Sequence, residues 1–235
     1  MSHTSHQTLI LASSSPRRQE LIQTLGLPYI IRVSDADETV EEKITPAELV
    51  ELLSLRKATT VREMLPESEK QGIIIGSDTV VVYQGEVLGK PIDEEDSFRM
   101  LKALQGNTHE VYSGVACVNT DTGRSIVSHK GDNDNTMYLG DACQYRILSE
   151  SASDKPGVIV GHSVSKVTFR PMSDEEIWGY ITTGEPKDKA GAYGVQGLGS
   201  LFIEKIEGDF YSVMGLPMNL LYQMLLRFGI SPFHN

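Results

Sequence analysis

The chain is poor in cysteine, in positive charge and in long apolar runs, and each shortage removes a class of function. Two cysteines occur in 235 residues, Cys117 and Cys143. Two thiols cannot build the disulfide framework of a small secreted domain, and their spacing matches no zinc site. Reduced thiols in the cytoplasm are the expectation. No stretch approaches the roughly 20 apolar residues that cross a bilayer, and Met1–Thr8 is polar, without the apolar centre of a secretory signal. No membrane partner is expected. Lysine and arginine number 21 against 32 aspartates and glutamates, a net charge of −11. A protein that grips nucleic-acid polymers presents a basic face, so this balance argues against that role. Any site for an anion must therefore gather its own cations, or a metal, against the field of the chain. No internal repeat is evident.

What is present is enough chain for one α/β domain, with 40% hydrophobic residues for a core. Leu9-Ile10-Leu11-Ala12 has the length of a buried strand and runs into Ser13-Ser14-Ser15-Pro16-Arg17-Arg18. Ser15 suits an N-cap and Pro16 the first position of a helix expected to run to about Leu25. Arg17 and Arg18 then fall in the first turn, where the helix dipole disfavours cations unless an anion is bound. The stretch fits equally an ordinary strand-to-helix turn and a phosphate cradle.

Ser34–Glu38 is an acidic loop, either a solvated turn or a place for a hard cation. Thr45, Pro46 and Glu48 form a capping box that opens the next helix, on which Lys57 reads as a surface residue. Gly72–Gly76 and Val80–Tyr83 are two apolar strands with Ser77-Asp78-Thr79 between them. A carboxylate there either caps a bend or has a function, because burying it unpaired is costly. Gln84-Gly85 is a hairpin turn that returns Lys90 towards Asp78. Asp93 caps a helix to Leu104, and Val111–Val118 is a strand.

Residues from about 120 to 162 are polar and read as a surface excursion. Within it, Gly131-Asp132-Asn133-Asp134-Asn135 superficially resembles a calcium loop but lacks the twelfth-position glutamate. Ser163–Phe169 resumes as a strand, and Ser173-Asp174-Glu175-Glu176 is a second capping box. Glu185–Gly197 packs charges among glycines and alanines with no helical period, as a backbone held close to a ligand would. Leu201–Ile206 and Tyr211–Met214 read as strands, and Leu216–Phe228 as a closing helix.

Four motifs in order carry a family resemblance: Ser13–Arg18, Gly76-Ser77-Asp78-Thr79-Val80-Val81, Gly89-Lys90-Pro91 and Glu185–Gly197. Together they resemble the Maf-type nucleoside triphosphate pyrophosphatases over nearly the whole chain. The resemblance implies a mixed α/β fold: a strongly bent sheet flanked by helices, with two lobes and a central cleft. It implies one domain over residues 1–235 and hydrolysis of a nucleoside triphosphate to the monophosphate and pyrophosphate. Arg17, Thr79 and Gln196 match the branch that acts on dTTP and UTP. A 7-methyl-GTP or inosine-triphosphate type of housecleaning enzyme, and a nucleotide-binding regulator of septum formation, are the alternatives.

By the same resemblance Asp78 is the catalytic carboxylate. Ser13, Ser14, Ser15, Arg17, Arg18, Lys57, Thr79, Lys90, Glu185, Asp188, Lys189 and Gln196 bind substrate, while Glu38 and Asp78 hold a divalent cation, Mg²⁺ or Mn²⁺. A homodimer is implied. Two departures stand out. Arg56 precedes Lys57 where the family often has glutamate, and the tract at 120–162 makes the chain roughly thirty residues longer than a typical member, at a place between strands where insertions are tolerated.

Overall fold

A computed structural model describes residues 7–33, 35–121, 136–150 and 155–233; the run Gly131–Asn135 lies outside them. The architecture is a mixed sheet with helices on both faces, as the resemblance implies. The strands are β1 (Thr8–Leu11), β2 (Tyr29–Ile31), β3 (Gly72–Tyr83), β4 (Glu86–Leu88), β5 (Thr108–Asn119), β6 (Thr136–Leu139), β7 (Cys143–Glu150), β8 (Pro156–Phe169) and β9 (Ile203–Glu207). Their main order is β2-β1-β3-β5-β8-β7-β6, with β4 added to β3 and β9 to β8. Only β1 runs parallel to its neighbours, β2 and β3.

Strand β3 is the centre of the arrangement. It is one continuous strand of 12 residues, not two strands broken at Asp78. Strand β5 covers one of its edges from Ile73 to Val82. The opposite edge is shared: β1 pairs with residues 72–75 and β4 with residues 81–83. Among the described residues, positions 76–80 between them have no strand partner on that side, so the sheet carries a notch whose floor includes Asp78 and Thr79. Asp78 marks that gap, and the pleat lets it lie in a regular strand while its side chain leaves one face.

The face bearing Asp78 packs on α2 (Pro46–Met64), which opens with the expected capping box and Pro46 in its first turn. Two glycines set the distance. A Cβ on Gly76 would lie 2.1 Å from the Ser54 carbonyl oxygen, and one on Gly114 would lie 2.2 Å from that of Val50. Side chains there would hold the helix off the sheet; without them its polar groups reach the strands.

The other face carries two apolar cores. One gathers Leu9, Leu11, Ile73 and Ile75 under α1 (Pro16–Gln23) and α6 (Met218–Arg227). The second gathers Val81, Val111, Val167 and Phe169 under α3 (Glu94–Leu104) and α4 (Asp174–Ile181). Between them the inward positions turn polar: Ser77, Ser113, Ser163 and Ser165 are buried there. This seam of hydroxyls divides the core, and the notch opens at the same level.

Three expectations need correction. Residues 136–150 form β6 and β7, which extend the sheet, and β8 begins at Pro156 rather than Ser163. Polar composition hid these strands because β6 lies at the sheet's end and its side chains are half-buried or exposed. Tyr211–Met214 is not a strand but part of a short helix, α5 (Phe210–Met214); Asp209 accepts from the Tyr211 N–H at 2.9 Å and Gly215, at φ 116°, ends it. Five residues are too few for helical periodicity to show against an alternating pattern. The first and last helices are also shorter than expected, at Pro16–Gln23 and Met218–Arg227.

Candidate active site

Lys57, read from sequence as a surface residue, is 12% exposed and lies on the side of α2 that the glycine contacts press against β3. Its Nζ donates to Asp78 Oδ1 at 2.5 Å and pairs with Glu38 Oε1 at 2.8 Å. One ammonium therefore joins the strand carboxylate to the acidic loop. Partial burial would raise the Glu38 pKa, but the Lys57 hydrogen bond and the charges of Lys57, Lys90 and Arg18 hold it below the ordinary range. Lys90 is exposed just past β4, so the hairpin returns its charge to this cluster as the turn arithmetic requires. The loop itself is fastened by Arg56, whose Nη1 donates to the carbonyls of Asp37 at 3.1 Å and Thr39 at 2.7 Å.

Arg18 reaches into the notch from the first turn of α1. Nε donates to the Gly215 carbonyl at 2.7 Å and Nη2 to Thr79 Oγ1 at 3.3 Å. Burial lowers its pKa, opposed chiefly by Asp78. Protein acceptors orient this guanidinium and use two of its five N–H donors. Ser77 Oγ lies 2.8 Å from both this Gly215 carbonyl and that of Gly114, so its one proton is shared between the end of α5 and β5 at the floor of the site. Ser15 makes no side-chain cap; instead its N–H donates to Ser13 Oγ at 3.2 Å. The start of α1 thus has neither a capping side chain nor an acid in its first turn, which leaves helix N–H donors for an anion.

The segment after α4 forms the facing wall. Lys189 Nζ donates to the Glu185 carbonyl at 2.5 Å and to Asp188 Oδ1 at 2.8 Å. The Lys189 hydrogen bond is the main cause that holds the Asp188 carboxyl low; the charges of Lys189 and, more weakly, Arg17 add to it. Gln196 Nε2 lies 3.5 Å from Glu20 Oε2 on α1, so the segment meets the helix that carries both arginines. Glu185 turns the other way. It accepts from Tyr180 Oη at 2.9 Å, Leu198 N at 3.0 Å and Gly199 N at 3.2 Å, bonds that anchor the loop.

The fold thus brings Glu38, Lys57, Asp78 and Arg18 into one cluster within the field of Lys90, and sets Arg17, Asp188, Lys189 and Gln196 along a second. Ser14 is exposed, its carbonyl accepting from Gln19 Nε2 at 3.3 Å. Sequence reasoning missed the hydroxyls and carbonyls that hold these groups: Ser77, Ser113, Ser212 and Gly215. Isolated serines in apolar strands were the available signal, since a buried hydroxyl needs a partner.

Residues 8–228 match the family model described as Maf-like protein. The chain belongs to the Maf-like family. Among curated relatives, the dTTP/UTP pyrophosphatase of Symbiobacterium thermophilum is 42% identical over 227 residues, 97% of each chain. That of Desulforamulus reducens is 40% identical over 223 residues, covering 95% of this chain and 97% of the relative. A Bacillus cereus protein of the same name is 38% identical over 226 residues, covering 96% and 98%. The Maf-like match spans every element that builds the notch.

Two carboxylates, Glu38 and Asp78, face one cation there, and among the described residues no group of three or more acids, histidines or cysteines gathers as a metal cage. That donor set suits Mg²⁺, which takes one or two carboxylates and completes its shell with water and substrate phosphate.

Proposed function

We propose that this chain hydrolyses dTTP and UTP, and modified pyrimidine triphosphates, to the monophosphate and pyrophosphate. The observation that carries the reading is the Glu38–Lys57–Asp78 cluster at an open gap in the sheet, within the field of Arg18 and Lys90. The names of the relatives support the substrate.

In the proposed reaction, a water oxygen forms a bond to the α-phosphorus while the bond to the bridging oxygen breaks, and pyrophosphate leaves. Lys57 occupies Asp78 Oδ1, which leaves Oδ2 to take the proton of the attacking water or to face the cation. Mg²⁺ or Mn²⁺ on Glu38 and Asp78, when bound, neutralises phosphate charge. The uncapped start of α1 with Ser13, Ser14 and Ser15, together with Arg17, Lys90 and Lys189, holds triphosphate oxygens, so charge building on the leaving group meets fixed donors. Thr79, Arg17 and Gln196 select the nucleotide; Glu185 and Asp188 set the loop that presents Lys189 and Gln196. The same reading makes the protein a cytoplasmic homodimer of single-domain subunits, with the polar tract between β5 and β8 an insertion within that domain.

The test is pyrophosphate release from dTTP, UTP, 7-methyl-GTP and ITP with Mg²⁺. Turnover of dTTP and UTP ahead of the purine nucleotides is expected. Tight triphosphate binding with no release would overturn the reading in favour of a regulator.

A further inference from the structure

Thr79 sits half-buried on the notch floor, and its hydroxyl belongs to a chain of hydrogen bonds whose direction can be assigned. Ser113 Oγ donates to the Ser212 carbonyl at 2.6 Å, which uses its one proton. Thr79 Oγ1 lies 2.8 Å from Ser113 Oγ, so in that bond Thr79 must be the donor. Arg18 Nη2 donates to Thr79 Oγ1 at 3.3 Å and so takes one of its lone pairs. The chain runs one way: Arg18 N–H to Thr79, Thr79 O–H to Ser113, Ser113 O–H to the Ser212 carbonyl. Ser113 is fully buried and Ser212 likewise, so no water can stand in for either. What Thr79 offers outward is a single lone pair.

We infer that Thr79 accepts, and cannot donate, a hydrogen bond to the nucleobase, and that Ser113 is the positioning residue that enforces this polarity. The inference rests on the proposed function and extends it to the chemical group read. A free hydroxyl can donate or accept, and so cannot distinguish bases that differ in just that respect. A hydroxyl whose proton is locked into the protein can. Thymine and uracil share an imide N3–H donor; cytosine has an acceptor at the same position. A base presenting N3–H completes the chain, whereas cytosine sets two lone pairs against each other and leaves both unpaired in a confined site, a mismatch that costs roughly 10- to 100-fold.

The test uses the full-length enzyme with UTP, CTP and 3-methyl-UTP, which keeps the uracil carbonyls and loses the N3 proton. For the unaltered enzyme, kcat/KM for UTP is expected to exceed that for CTP and 3-methyl-UTP by about tenfold or more. In Ser113→Ala the Thr79 hydroxyl is free to turn, so the UTP-to-CTP ratio should fall towards unity, through a gain with CTP as well as a loss with UTP. Thr79→Val removes the acceptor at nearly constant shape and should lower UTP turnover without raising that of CTP. Melting curves record whether each variant is folded, since a merely structural loss would depress both substrates alike and leave their ratio intact. A folded Ser113→Ala enzyme with an unchanged ratio would overturn the inference. So would equal use of UTP and 3-methyl-UTP, which would place the Thr79 contact on the ribose. Should Ser113→Ala not fold, an unchanged ratio in Thr79→Val overturns it. Absence of UTP turnover by the unaltered enzyme would instead remove the functional reading itself, a result none of the other arms imitates.

Discussion

Helix α2 carries two buried charge clusters, and they differ in what they face. Near the middle of the helix, Lys57 is held between Asp78 and Glu38 at the notch. Six residues earlier Glu51, its side chain 4% exposed, is held between His162 Nδ1 at 2.7 Å and Arg146 Nη1 at 2.6 Å. Both clusters exist because the glycines of β3 and β5 let the helix lie against the sheet. The Glu51 cluster is closed: its acid has a partner on each carboxylate oxygen, and it ties α2 to β7 and β8. The Lys57 cluster is open, with the half-exposed Glu38 as its outer member and further cations around it. Burial of paired charge is therefore not by itself a mark of function in this molecule. Access to the gap in the sheet is what separates the two.

Breaking the open cluster should have the largest effect. Lys57→Met removes the cation shared by Asp78 and Glu38, and pyrophosphate release from UTP should fall by about 10²- to 10³-fold, while the melting temperature also falls, because Asp78, with its side chain only 10% exposed, loses its ammonium partner. Loss of stability with turnover preserved would reverse the roles assigned to the two clusters.

His109 sharpens the comparison from the other side, as a buried group with no countercharge. Its Nε2 pairs with Tyr193 Oη at 2.7 Å and burial pushes its pKa down to about 4. The unfolded chain binds this proton near pH 6.5 and the folded one only near pH 4. Between those values the unfolded state holds more protons, so stability is complete above the upper value and is lost as pH falls towards the lower. The loss attributable to this ring is about 3 kcal/mol. In urea unfolding from pH 7 to pH 4, His109→Leu should show a visibly shallower dependence than the unaltered chain. An equal slope in both would assign acid sensitivity to other groups.

Glu51→Gln tests the closed cluster. It keeps shape and one acceptor but leaves Arg146 and His162 without a carboxylate, at a cost of about 1–3 kcal/mol, tempered by the partial exposure of Arg146. Denaturant melts should record that loss while kcat with UTP stays within about threefold of the original. A solvent-exposed pair sets the lower bound. Lys102 and Asp174 link α3 to α4 with both side chains exposed, so Lys102→Ala should change stability by less than about 1 kcal/mol.

Much of the local structure was legible in the residues. The capping boxes at Thr45 and Ser173 appear as read, each with its reciprocal bond from the third helical residue. The Gln84-Gly85 turn takes positive φ at both positions, and its two-residue length folds β4 back on β3 so that the charge of Lys90 reaches Glu38. These are short-range features in which a few neighbouring side chains satisfy neighbouring backbone groups. The strands β6 and β7 were not legible, because their partner β8 lies across a polar tract and their side chains face solvent as much as core. Nor was α5, where the pattern of five residues is ambiguous even with Asp209 as its cap.

The sequence by itself determined the chemistry available at the site. It placed a carboxylate in an apolar strand, two arginines after a serine loop, a lysine at the end of a hairpin, and a charged glycine-rich segment, and their order identified the family. Tertiary structure decided what each does. Arg18, next to Arg17 in the chain, is committed to Gly215 and Thr79, while Lys57 leaves an ordinary helical surface to join two acids. Glu185 is drawn away to its own loop, and the Thr79 hydroxyl acquires a direction from Ser113. The physical reason is the same in each case. A polar group in a low-dielectric interior must find a partner, and which partners lie within 3 Å depends on strands and helices far apart in sequence.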